Sequence, residues 1–64
     1  MEEYQKRVID ERDELKRKVD KLYAFLGSSI YQGLNSADRR RLDRQHDVMS
    51  EYEEILSERI AEFV

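Results

Sequence analysis

The first part of the chain places apolar side chains with the period of an α-helix. Steps of three, four and seven residues separate these positions, which are Tyr4, Val8, Leu15, Val19, Leu22 and Leu26. Such steps keep the apolar side chains on one face of a helix, while charged side chains occupy the opposite face. The pattern therefore predicts one long helix over residues 2–26.

A second helical pattern follows a short interruption. The two glycines of the chain lie in this interruption, where we predict a short turn at residues 28–34. Asn35 and Ser36 are both good N-caps for the next helix, which we predict over residues 36–63. Its apolar positions are Leu42, Met49, Tyr52, Leu56, Ile60 and Phe63.

Two long helices joined by a short connection fold back on each other as an antiparallel hairpin. We therefore predict an all-α protein in which residues 1–64 form a single helical-hairpin domain. Such a hairpin buries one face of each helix, which is a small core for a chain of 64 residues. We expect it to self-associate into a helical bundle, as a dimer or a larger homo-oligomer. A monomeric hairpin is the simpler alternative.

The apolar arc of the second helix is wider than contact with the first helix requires. Val48 and Ile55 form a stripe beside the main apolar stripe. Contiguous exposed apolar side chains usually mark interfaces. The residues that we assign to this interface are Val48, Met49, Tyr52, Ile55 and Leu56.

Polar side chains occupy positions that should face the other helix. In the predicted antiparallel register, Glu11 lies near the segment from Leu56 to Arg59. We therefore expect an ion pair between Glu11 and Arg59 across the seam. This pair either fixes the register of the two helices or helps to hold a ligand between helices or subunits.

Composition argues against several classes of function. The net charge of −3 disfavours general nucleic-acid binding, which needs a basic surface. No apolar run is long enough to cross a bilayer, so we predict no membrane association. The chain has no cysteine, one histidine, and no recognisable spacing of metal ligands, nucleophiles or a phosphate loop. We expect a cytoplasmic protein without a metal, a cofactor or an enzymatic activity.

The segment SADRRRLDRQH opens the second helix with three consecutive arginines. Cations are unfavourable at the positively polarised N-terminus of a helix. Asp38 offsets part of this charge. Asp43 can pair with Arg39 or Arg40. The remaining charge is either a solvated helix end or a site for an anion, with Arg39, Arg40 and Arg44 as the binding residues.

Both helices carry an ordered set of residues that resembles a family of small phage proteins related to a crAss-like phage gene product. In the first helix these residues are Gln5, Arg7, Val8, Glu11, Glu14, Leu15, Lys21, Leu22, Ala24 and Phe25. In the second helix they are Leu42, Gln45, Met49, Tyr52, Leu56, Arg59 and Ile60. The resemblance covers nearly the whole chain. It implies an origin in a phage or prophage and action inside the host bacterial cytoplasm.

Two functions fit a protein of this kind. Small helical phage proteins that oligomerise include anti-defence sponges, which sequester the cyclic nucleotides that bacteria use as immune signals. Arginines would bind the phosphates of such a ligand and aromatic rings would stack on its bases. The predicted ligand-binding residues are Tyr4, Arg7, Glu11, Arg39, Arg40, Arg44, Tyr52 and Arg59. The alternative is an assembly module that inhibits or adapts a host or phage protein through the flank at Val48 and Ile55.

Overall fold

The computed structural model describes residues 1–63. Within these residues the regular secondary structure consists of three helices joined by short turns. Helix α1 spans Glu3–Leu26, α2 spans Ser29–Gln32 and α3 spans Ser36–Ala61. Helices α1 and α3 pack side by side in an elongated particle that measures 46 × 14 × 14 Å. The ring of Tyr4 contacts that of Phe63, so the two long helices run antiparallel.

Side-chain oxygens accept hydrogen bonds from free backbone amides at the start of both long helices. The Glu2 amide at the start of α1 donates a hydrogen bond to Gln5 Oε1 over 2.9 Å. At the start of α3, Asn35 Oδ1 accepts a hydrogen bond from the Asp38 amide over 2.8 Å. Asn35, rather than Ser36, is therefore the N-cap of α3.

The short helix α2 closes one end of the hairpin. Ser28 Oγ accepts a hydrogen bond from the Tyr31 amide and donates one to the carbonyl oxygen of Phe25. The rings of Phe25 and Tyr31 then meet edge to face, with their centroids 6.4 Å apart. The Tyr31 hydroxyl donates a hydrogen bond to Asp43 Oδ1 over 2.7 Å, which ties this end to α3.

The last turn of α3 is tighter than an α-helix. The amides of Glu62 and Phe63 donate to the carbonyl oxygens of Arg59 and Ile60, three residues earlier. This spacing is that of a 3₁₀ turn, which often ends an α-helix. The regular helix consequently ends at Ala61, before the predicted position 63.

The core of the hairpin is one layer of side chains between α1 and α3. Val8, Leu15 and Leu56 are buried, and a ring of partly buried side chains packs against them, namely Val19, Met49, Ile60 and Phe63. Full burial of one such aliphatic side chain contributes about 1.5–3 kcal/mol, and ordering each residue of the chain costs a comparable amount. The hairpin is therefore stabilised by a thin core.

The assignment of Leu56 to an interface was wrong. We predicted it at an interface with another molecule, but its side chain is 1% exposed and lies at the centre of the hairpin's own core. The reason is register, since the alignment of the two long helices places Leu56 in one buried cluster with Val8 and Leu15 of α1.

Within residues 1–63, no helix combines the length and the apolarity that a membrane-crossing segment needs.

Candidate functional site

Three apolar side chains of α3 lie on the surface beside the core. Val48 is 65% exposed, Tyr52 is 42% exposed and Ile55 is 47% exposed. They follow one another at steps of four and three residues, so they line one side of the helix. We call these three residues the α3 ridge. The exposure of Val48 and Ile55 agrees with the apolar flank that the sequence predicted, whereas Tyr52 was predicted on the main stripe.

The hydroxyl group of Tyr52 is held by the facing helix. It donates a hydrogen bond to Glu11 Oε2, which fixes the outer end of the aromatic ring against α1. The predicted ion pair between Glu11 and Arg59 is wrong, since no ion pair joins these two side chains within residues 1–63. Tyr52 and Arg59 lie two turns apart on α3, so the register of the two long helices determines which of them faces Glu11. In the structure, the phenol of Tyr52 faces Glu11.

An open groove begins where the α3 ridge meets the N-terminal half of the helix. Its volume is about 360 Å³ and all of its lining residues come from α3, namely Arg41, Arg44, Gln45, Val48 and Met49. Val48 and Met49 contribute apolar lining, and Arg41 and Arg44 contribute two guanidinium groups. We call this feature the α3 groove.

The two arginines of the α3 groove differ in their surroundings. Arg41 Nη1 forms an ion pair with Asp38 Oδ1 over 2.9 Å, and its side chain is still 70% exposed. Arg44 forms no ion pair and no side-chain hydrogen bond among the residues described. Since a guanidinium group has five N–H donors, both side chains keep donors for an external anion.

Arg39 and Arg40, the other members of the arginine cluster, do not line the α3 groove. Asp43 accepts the hydrogen bond from Tyr31, so its predicted pairing with Arg39 or Arg40 is not what the structure shows. This hydrogen bond raises the pKa of Tyr31, with smaller contributions from burial and from the charge of Asp43. Arg39 lies close enough to lower that pKa slightly. Arg40 is exposed.

Three predicted ligand-binding residues lie away from the α3 groove. Tyr4 is at the open end of the hairpin, where its ring meets Phe63 edge to face with centroids 6.0 Å apart. Arg7 and Arg59 are exposed in the half of the hairpin that contains this open end. The structure brings Tyr52 and Glu11 together, but it joins neither of them to Tyr4.

Sequence reasoning missed two residues of the α3 groove. Gln45 precedes Val48 by three residues and Arg41 precedes Gln45 by four, and these are the same steps that relate Val48, Tyr52 and Ile55. The same spacing rule would therefore have placed both on the line of the α3 ridge. Counting arginines by their position in the first turn instead favoured Arg39 and Arg40.

The opposite side of the hairpin carries a different set of polar contacts. Arg12 donates to Ser57 Oγ over 3.4 Å and pairs with Asp13 over 2.9 Å. The rings of Tyr23 and His46 lie 5.8 Å apart. No group of three histidine, aspartate or glutamate side chains within residues 1–63 is arranged to hold a metal ion.

The fold and the groove define a small helical-hairpin protein that presents a joined basic and apolar surface on one helix. Comparison with protein families gives a match over almost the whole chain: the family model of Sequestin covers residues 2–62. The chain belongs to the Sequestin family. No curated protein and no solved structure matches it significantly.

Proposed function

We propose that this protein sequesters a small phosphate-bearing nucleotide in the cytoplasm of a bacterium, as an oligomeric and non-enzymatic sponge of phage origin. The observation that carries the proposal is membership of the Sequestin family, whose name indicates a sequestering role. The resemblance to small phage proteins supports the setting. A cyclic nucleotide that serves as an immune signal is the ligand that we favour.

The chemistry of the α3 groove supports a ligand of this class. A nucleotide combines an anion with flat and weakly polar rings. Arg41 and Arg44 offer charge-assisted hydrogen bonds to phosphate oxygens. Val48 and Met49 offer an apolar floor for a base or a sugar. The volume of about 360 Å³ is at the lower end of the range for small-molecule pockets, so it suits one nucleotide unit.

The side chains that line the groove support the proposed absence of catalysis. The polar side chains of the groove are two arginines and one glutamine, which bind anions and donate hydrogen bonds. None of these is a usual nucleophile or general base near neutral pH. We therefore expect the ligand to be held and released without a covalent change.

Isothermal titration with a panel of nucleotides tests the proposal. The panel contains cyclic dinucleotides, cyclic trinucleotides, nucleotides joined by pyrophosphate and inorganic phosphate. We expect at least one nucleotide to bind with a Kd of about 1 μM or lower, since a sponge must retain its ligand at low concentration. If every compound binds more weakly than about 1 mM, the proposal is wrong.

A variant of the groove separates a specific site from general attraction of anions. A hydrogen bond to a charged group contributes about 1.5–3 kcal/mol, so Arg44→Ala should raise the Kd about 10- to 100-fold. The matched control is Arg17→Ala, which removes another exposed arginine, one that pairs with Glu14 and lies outside the α3 groove. Equal effects of the two substitutions would contradict a site at the α3 groove.

The second candidate function is docking of a host or phage protein, and the exposed side chains of the α3 ridge favour it. The nucleotide panel distinguishes the two candidates, because a docking module has no reason to bind any of its compounds. A stoichiometric complex with one protein, lost in Val48→Glu, would then support docking.

A further inference from the structure

The α3 ridge is the centre of a longer seam. The same steps of four and three residues extend it to seven positions, which are Arg41, Gln45, Val48, Tyr52, Ile55, Arg59 and Glu62. This is the spacing with which one helix packs against another in a coiled coil. Helix α1 packs on the neighbouring stripe that contains Leu56 and reaches the seam at the Tyr52 hydroxyl through Glu11. Val48, Tyr52 and Ile55 nevertheless stay exposed in the single chain.

We propose that a second copy of this chain packs its α3 antiparallel on this seam, around a two-fold axis near Tyr52. A two-fold axis near Tyr52 pairs a residue that precedes Tyr52 with the residue that follows Tyr52 at about the same distance along the other copy. Val48 then meets Ile55 of the second copy at the centre. Toward the ends, Gln45 meets Arg59 and Arg41 meets Glu62.

Charge along the seam supports a second copy as the occupant, and it supports the antiparallel direction. The basic end of the seam holds Arg41, and the acidic end holds Glu62. Beside them, Arg44 and Glu58 repeat this order on the outer edge of the helix. An antiparallel pair places Arg41 against Glu62 at both ends and Arg59 against the neutral Gln45, whereas a parallel pair would place each of these charges against its own copy.

Two polar side chains of the seam, Tyr52 and Arg41, already have partners within the single chain, which favours burial of the seam. The Tyr52 hydroxyl is already bonded to Glu11, so burial of its ring leaves no unpaired polar group. Arg41 is paired through one nitrogen with Asp38 and keeps further donors for Glu62 of the second copy. Two hairpins joined in this way form a four-helix arrangement, which supplements the thin core of each hairpin.

This interface deepens the proposed function and rests on its oligomeric form. Arg59 of the second copy would lie beside Gln45, at the edge of the α3 groove. The seam shares Arg41, Gln45 and Val48 with the lining of the α3 groove, so the second copy would cover that side of the groove. A nucleotide bound to the dimer would then contact Arg44 and the Arg59 of the other protomer at the uncovered edge, and the dimer would hold two equivalent sites. The interface itself is measured without any nucleotide, so its failure is distinguishable from a failure of ligand binding.

Sedimentation equilibrium of the full chain tests the interface. We expect a mass of twice the 7.8 kDa chain at a protein concentration of about 100 μM. Ile55→Glu should give the mass of one chain, because it places a charge at the apolar centre of the seam. The matched control is Ile30→Glu, at an apolar residue of α2 that is 67% exposed and should leave the dimer intact. Circular dichroism confirms that each variant remains helical.

Charge reversal tests the direction and register. Arg41→Glu or Glu62→Arg alone should weaken dimerisation about tenfold, since each places like charges together at both ends of the seam. The double variant should regain most of the loss. Lys6→Glu with Glu54→Arg, at exposed positions off the seam, should change nothing.

Three results would overturn the interface. The first is a 7.8 kDa species at about 100 μM. The second is a dimer that persists in Ile55→Glu. The third is a double charge reversal that dimerises no better than the single variants, which would refute the antiparallel register even if the chain is a dimer.

Discussion

Leu56 is the most deeply buried side chain of the hairpin, and its truncation tests the account of the core. The side chain is 1% exposed and packs with Val8 and Leu15 between the long helices. Leu56→Ala removes about three buried carbon groups. At about 0.8 kcal/mol for each, the lost transfer free energy is about 2.4 kcal/mol.

The cavity left by Leu56→Ala adds little to this loss. Leucine-to-alanine substitutions in deep cores cost about 2–5 kcal/mol, and the larger values belong to sites that cannot collapse. The core of this hairpin is one layer thick, so its half-buried neighbours can close around the gap. We therefore expect a total loss of about 2.5–3 kcal/mol, which lowers the Tm by about 10–20 °C for a domain of this size.

Thermal and urea unfolding, followed by circular dichroism, measure this loss. All samples are compared at one protein concentration, because self-association would add to the apparent stability. Ile30→Ala is the matched control, since Ile30 is apolar but 67% exposed, and it should change the free energy of unfolding by about 0.5 kcal/mol or less. A loss below about 1 kcal/mol in Leu56→Ala, or an equal loss in Ile30→Ala, would refute this description of the core.

Two smaller predictions concern the ends of α3 and α2. Asn35→Ala should lower the free energy of unfolding by about 1 kcal/mol in thermal melts because it removes the cap on α3, whereas Ser36→Ala should be nearly neutral, and the reverse order would show that the cap is misassigned. The pKa of Tyr31 is raised above its ordinary value of 10.0, so its bond to Asp43 stabilises the fold below that pH and is lost as the pH rises through the raised pKa. An NMR titration of the Tyr31 ring should therefore move to lower pH in Asp43→Ala, and an unchanged titration would rule out this bond.

The fold was predictable from the sequence because its determinants are local. The period of the apolar residues defines both long helices, and the side chain of Asn35 defines where α3 begins. Val8 and Leu15 were placed on the packed face by their spacing alone, and both are buried. The end of α3 was less predictable, since the last turn tightens through backbone bonds that no side-chain pattern specifies.

The candidate site was less predictable because it depends on register between helices. Tyr52 and Arg59 are both within reach of Glu11 in an approximate hairpin, and only the final alignment selects Tyr52. Among the clustered arginines, a change of one position rotates the side chain by more than a quarter turn around the helix. Arg41 consequently lines the groove, while Arg39 lies near Tyr31.

The measurement that tests the central claim most directly is recovery of the ligand after binding. The protein is saturated with the tightest nucleotide of the panel, separated from free ligand by dialysis, and denatured, and the released compound is identified by mass spectrometry. Sequestration predicts that the nucleotide is retained in stoichiometric amount and released with its mass unchanged. A released compound of altered mass would show that the protein converts its ligand chemically. The absence of any retained nucleotide would contradict sequestration.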